Sequence, residues 1–146
     1  MEQSGTEKRL LFLKSFVGKE VSGSPSHYMN WLKPLVISAD YGELFFSYVV
    51  RREMTNPSAV LHGGVIAGII DDLIGATVYT LELSHAFTTV NNSIDYFAPA
   101  REGDVITAKT AIIKRGRTII NLQCEVFLPA KDRLIAKGYS NMINIG

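Results

Sequence analysis

At 146 residues, with 47% hydrophobic and 20% charged residues and a formal charge of +1, the chain suits one globular domain with a full core. That balance excludes a disordered segment, and the near-zero charge offers no field for nucleic acid or an anionic membrane. One domain is expected over 1–146, with about 1–30 forming an N-terminal helix and a connecting segment.

The first residues, Met-Glu-Gln-Ser-Gly-Thr-Glu-Lys-Arg, do not lead into an apolar signal core, so a reducing, cytoplasmic setting is expected. Thr6 is placed to cap a short amphipathic helix through about Val17, with Leu10, Leu13, Phe16 and Val17 inward and Gly18 ending it. Residues 21–34, rich in Ser, Gly and Pro, read as a connection. Their Tyr28, Met29 and Trp31 either pack on the core or line a pocket. Runs at 35–40 and 43–51, joined by Tyr-Gly, read as strands.

Next comes an almost wholly apolar stretch, 63–81, nearly long enough to span a bilayer. Asp71 and Asp72 fall at its middle, where each would cost roughly 2.5–3.5 kcal/mol on insertion scales. It also lacks basic flanks, so it reads as a helix buried inside a protein, and no membrane partner is expected. Four more strand-like runs follow at 87–97, 105–114, 118–128 and 134–145. A segregated helix beside runs of strands implies an α+β fold with a largely antiparallel sheet. A helix apolar nearly all round must be wrapped by that sheet and by a partner subunit.

The start of the long helix carries the chemistry. Leu61-His62-Gly63-Gly64 puts free backbone N–H groups at a helix N-terminus, where glycines let a ligand approach. Gly64, Gly68, Asp71 and Gly75 then share one helical face, lined by small residues and bearing one carboxylate. Asp72 lies about 100° around and reads as a polar anchor, so Asp71 is the catalytic candidate. Gly63 N–H, with Gly64 N–H, would face a substrate oxygen, and His62 would shape the turn. Nine residues of helix rise separate His62 from Asp71 by roughly 13 Å. These parts cannot serve one carbonyl within one chain, so an enzyme built on them needs two subunits, as a two-fold dimer provides.

Other chemistries find little support. There is no Gly-x-Ser-x-Gly elbow and no phosphate-binding glycine motif. Three histidines and one cysteine without ligand spacing leave no metal expected. Cys124, in a strand-like alternation, reads as a buried core thiol.

Asn56 followed by Leu-His-Gly-Gly-Val-Ile-Ala-Gly-Ile-Ile-Asp resembles the signature of hotdog-fold acyl-CoA thioesterases. The branch it is most similar to is the phenylacetyl-CoA (PaaI-like) type of the 4-hydroxybenzoyl-CoA thioesterase superfamily. The resemblance implies a hotdog fold, a long central helix wrapped by five to six strands. It also implies hydrolysis of acyl-CoA, with coenzyme A part of the substrate and no separate cofactor. Asp71 would be the base or nucleophile, Gly63 the main oxyanion donor, and Asn56 would position the thioester or the attacking water. Thr89, with Thr88 beside it, falls where relatives hold that water. Tyr96-Phe97-Ala98-Pro99-Ala100 is similar to the family's strand end, which adds Tyr96 to the substrate-contacting residues. The Lys114-Arg115-Gly116-Arg117-Thr118 turn resembles the hairpin that touches coenzyme A, and its donors suit phosphates. The assembly implied is a homodimer or a homotetramer of paired dimers. Two other hotdog readings stand beside this one: a non-catalytic acyl-CoA or lipid-binding module, and a dehydratase, whose differently placed catalytic histidine has no counterpart here. Aryl, short-chain and long-chain acyl groups all remain open.

Overall fold

In the computed structural model, which describes residues 8–146, one long helix, α3 (Gly63–Tyr79), carries seven buried side chains. They are Ile66, Ile69, Ile70, Leu73, Ile74, Thr77 and Val78. Each buried aliphatic residue contributes roughly 1.5–3 kcal/mol, so a helix this apolar is stable only when covered. The cover is a six-stranded sheet: β1 (Leu35–Asp40), β2 (Glu43–Val49), β3 (Phe87–Tyr96), β4 (Val105–Arg115), β5 (Ile119–Leu128) and β6 (Arg133–Asn144). The order is β1-β2-β4-β5-β6-β3, every pair antiparallel, which is the expected α+β arrangement. No helix among the described residues is long and apolar enough to cross a membrane.

Strand alternation supplies the inner face: Phe46 and Tyr48 from β2, Ile106 and Ala108 from β4, Ile120, Leu122, Cys124 and Val126 from β5. Two threonines pin the helix to this face. Thr77 Oγ1 donates to the Leu73 carbonyl (2.8 Å), so it must accept from Thr110 Oγ1 (2.6 Å). Thr110 in turn accepts from the Leu44 N–H at 3.1 Å. Every polar group in this buried chain is satisfied.

Two regions differ from the sequence expectations. The first helix, α1 (Lys8–Lys14), stops earlier than Val17, and the Thr6 cap lies outside the described residues. Val17 pairs with Val36 instead and stays half-exposed, because the Gly18 N–H donates to the Val36 carbonyl. The chain at 17–20 thereby covers part of the outer edge of β1. Within the expected connection at 21–34 there is a short helix, α2 (His27–Leu32), capped by Ser26.

The strand that flanks α3 has one irregularity with consequences. Thr89 pairs with Met142 and Asn91 with Asn141, leaving Val90 as an extra residue. Strict alternation from Thr89 would send Asn91, Ser93 and Asp95 inward. The bulge reverses the phase, so that Asn92, Ile94 and Tyr96 join Thr89 on the helix side. Asn91 points outward, where its Oδ1 accepts from Asn141 (2.9 Å).

The buried threonine chain is testable. Thr110→Val, which keeps the shape but strands the Leu44 N–H, is expected to destabilise the fold by about 1–3 kcal/mol in urea titrations. Combined with Thr77→Val, the loss should be less than additive.

Candidate active site

The start of α3 is set by His62, the N-cap, whose Nδ1 accepts from the Gly64 N–H at 2.8 Å. The Val65 and Ile66 N–H groups both bond to the His62 carbonyl. The Gly64 donor, expected to face a substrate oxygen, is therefore already engaged. Gly63 is left: among the described residues its N–H makes no hydrogen bond, and it sits at the positive end of the helix dipole. Tyr96 lies against this residue, its hydroxyl donating to the Gly63 carbonyl at 3.0 Å. Asn56 shapes the preceding turn. Its Oδ1 accepts from the Ser58 and Val60 N–H groups (3.0 and 3.3 Å), which leaves Nδ2 for a ligand.

Two turns along the helix, Asp71 Oδ1 accepts from Thr89 Oγ1 (2.9 Å) and from Asn92 Nδ2 (3.0 Å). Both bonds land on Oδ1, so Oδ2 is the oxygen free to act. Thr89 was expected here and Asn92 was not, because only the Val90 bulge brings it to the helix side. Asp71 opens on a cavity of about 410 Å³, within the range of small-molecule pockets. Phe12, Pro25, Met29, Ala76, Phe87 and Met142 make most of its walls apolar, and Gly75 leaves open space beside them. His62 and Gly64 border a different recess, with Tyr28 and Trp31, which shares none of those six residues. The structure thus keeps the helix start and the carboxylate of one chain apart, as the rise of the helix requires.

Asp72 also borders the Asp71 cavity, yet it is held as an anchor. Its Oδ1 accepts from Ser26 Oγ at 2.5 Å, while among the described residues the buried Oδ2 has no partner, and neither has the Tyr48 hydroxyl. Burial pushes Asp72 up to about 6 against the Ser26 hydrogen bond, which favours the ionised form; the Asp71 charge adds to the rise. The phenols of Tyr28 on α2 and Tyr48 on β2 are raised chiefly by burial and then by Asp72. Cys124 is fully buried and pushed up to about 12 by burial, which removes it as a nucleophile.

The basic turn lies at the β4–β5 hairpin, closed by the Gly116 N–H to the Ile119 carbonyl (2.9 Å). A Cβ on Gly116 would sit 2.5 Å from that carbonyl oxygen, so only glycine closes it. Lys114, Arg115, Arg117 and Thr118 are exposed around it. Arg115 is tied to the Tyr41 hydroxyl (2.7 Å), leaving Arg117 the freer cation. A recess of about 400 Å³ borders Arg115, Gly116, Arg117 and His85, and it shares Phe87 with the Asp71 cavity. His85 carried no sequence signal beyond its loop position.

Comparisons with known proteins bear on the family and the fold. The family described as the thioesterase superfamily matches residues 59–134, just over half of the chain. Acyl-coenzyme A thioesterase 13 of Homo sapiens is 28% identical over 106 residues, 73% of this chain and 76% of that protein. Among solved structures, the Escherichia coli PaaI protein of the phenylacetic acid degradation operon superposes with a TM-score of 0.76 at 20% identity, covering 84% of this chain and 86% of that one. A hypothetical thioesterase of Streptococcus pneumoniae, solved with coenzyme A, gives 0.71 at 22% identity, covering 76% and 84%.

The raised Asp72 carries a pH signature. Between about 4 and 6 the folded chain holds a proton that the unfolded chain has lost, so this group's contribution to stability falls as pH rises and the penalty is complete above about 6. Asp72→Asn keeps the Oδ1 acceptor and removes the charge. Relative to the natural chain it should gain on the order of 2–3 kcal/mol between pH 4 and pH 8 in urea midpoints. A stability difference that stays flat with pH would contradict the assignment.

Proposed function

The chain belongs to the thioesterase superfamily, and from that premise we propose that it hydrolyses acyl-CoA thioesters to a free acid and coenzyme A. The observation that carries the reading is Asp71, held by Thr89 and Asn92 at the edge of an apolar cavity. The names of relatives and the coenzyme A in a structural neighbour point to the same substrate class.

The thioester carbonyl points at the Gly63 N–H, a fixed donor aimed at the oxygen that gains charge in the tetrahedral intermediate. Asp71 Oδ2 removes a proton from a water that attacks the carbonyl carbon, or attacks it directly to form an anhydride that water then opens. In either route the C–S bond breaks, the coenzyme A thiolate leaves and is protonated, and water supplies the acid's second oxygen. Asn56 Nδ2 and Thr89 orient the reacting groups, and Tyr96 steadies the Gly63 end. Phosphates of coenzyme A lie against Arg117, Arg115 and Lys114, with Thr118 offering a backbone donor and Gly116 closing the turn that presents them. Phe87 joins that recess to the cavity.

Gly63 and Asp71 of one site come from two subunits. The β3 edge supports this: it is ten residues long, unpaired on its outer side among the described residues, and carries exposed Val90 and Tyr96, with exposed Phe97 just after it. Two copies joined there across a two-fold axis would complete two sites. Light scattering separates this dimer from a homotetramer of paired dimers. A cytoplasmic setting accords with the free, buried Cys124.

Asp71→Asn is expected to abolish acyl-CoA hydrolysis without unfolding the protein, as read by thiol release. Gly63→Pro tests the donor alone: proline suits the first helical position, and His62 is already extended (φ −63°, ψ 133°). The turnover number should fall by about 10²–10³. Mixing the two inactive variants should restore about a quarter of the natural activity, since half the dimers then hold one intact site. No recovery on mixing would refute the shared site. Tight acyl-CoA binding without turnover in the natural chain would favour the non-catalytic binding module.

A further inference from the structure

Besides Phe12 and Leu13 of α1, the cavity beside Asp71 has a second wall outside the matched thioesterase region. Ser24, Pro25, Ser26 and Met29 form it, and all precede residue 59, where that region begins. This wall is a locked unit. Asn30 bonds the Ser24 N–H and carbonyl, both at 2.9 Å, which fixes the loop to α2. The Arg51 guanidinium donates to the Trp31 and Leu32 carbonyls (2.6 and 3.2 Å) and lies 5.0 Å over the Trp31 ring.

The unit meets α3 at two points. The Tyr28 ring lies over Gly68, where a Cβ would fall 2.2 Å from the phenol oxygen, so the helix leaves a gap that the ring occupies. One turn further on, Ser26 Oγ accepts from the Met29 N–H (3.1 Å) and donates to Asp72. One hydroxyl therefore both caps α2 and fastens it to the residue next to Asp71. A short charge-assisted bond of this kind is stronger than a neutral one.

We propose that residues 24–32, clamped to α3 through Ser26 and Asp72, set which acyl groups the cavity admits, with Ser26 and Asp72 as positioning residues. The proposal rests on acyl-CoA hydrolysis as the activity. Asp71 takes its own hydrogen bonds from β3, so a shift of this wall changes the depth of the cavity and leaves the Asp71–Thr89–Asn92 contacts in place. Among the other lining residues, Phe12, Ala76, Phe87 and Met142 are apolar. The group measured by the wall is a hydrocarbon acyl chain longer than acetyl.

Trp31 is the chain's sole tryptophan, so its fluorescence reports how α2 is seated. Octanoyl-CoA and acetyl-CoA are compared on the natural chain, Ser26→Ala and Ser26→Thr. In Ser26→Ala the ratio of kcat/KM for octanoyl-CoA over acetyl-CoA should fall by about tenfold, the worth of one charge-assisted hydrogen bond, with the loss mainly in KM. Trp31 emission should move to the red. Ser26→Thr keeps a capping hydroxyl and should restore both. Equal losses for the two substrates, or an unchanged ratio, would overturn the proposal. Should Ser26→Ala fail to fold, Gly68→Ala displaces the Tyr28 ring and should lower the same ratio. If the natural chain hydrolyses neither of these thioesters, nor phenylacetyl-CoA nor palmitoyl-CoA, acyl-CoA hydrolysis is wrong. The relative binding of octanoyl-CoA and acetyl-CoA, followed by Trp31 quenching, then decides the clamp on the same ratio without turnover.

Discussion

A seventeen-residue helix with no polar face has to be covered all round, and it also carries two adjacent carboxylates. That conflict organises the molecule. The sheet wraps the aliphatic residues, and the carboxylates are left at the two flanks, where something other than the sheet's inner face must meet them. The edge strand β3 meets Asp71 with a hydroxyl and an amide. The cap of α2 meets Asp72 with a hydroxyl. Buried charge is tolerated only with such partners. Neighbours in sequence therefore acquire different chemistry: Asp71 keeps an open oxygen beside the cavity, and Asp72 becomes an anchor with a perturbed ionisation.

Much of this was legible beforehand because the long helix declares itself twice. Its uninterrupted apolar run fixes its length, and His-Gly-Gly fixes its start. The six strands follow from period-two patterning between clear turns, and their limits move by only a residue or two. Asp71 two turns into the helix was readable from spacing, Thr89 beside it from resemblance, and the separation of Gly63 from Asp71 from the rise of the helix. Asp72 as an anchor followed from its position on the helix, although its partner did not.

The misses have physical reasons. A six-residue helix has too few turns for a periodic signal, and in α2 the Ser-Pro-Ser cap looks like loop composition. A bulge leaves no mark when the extra residue is a valine, the commonest kind of strand residue. Alternation extended from Thr89 therefore picks Asn91, and the inserted Val90 makes it Asn92. The engagement of the Gly64 N–H was equally hidden, since histidine is an uncommon cap and its ring orientation is a matter of side-chain geometry.

The two ends of the sheet are unequal. On one side β1 is only six residues long, and the preceding segment already covers its first half. On the other, β3 offers a long bare ladder. A strand can be added to this sheet at one margin only, so growth by that route consumes the available margin in a single step. In the dimer proposed above, pairing at β3 uses the long free margin of both sheets, so the assembly closes and does not grow into a fibre.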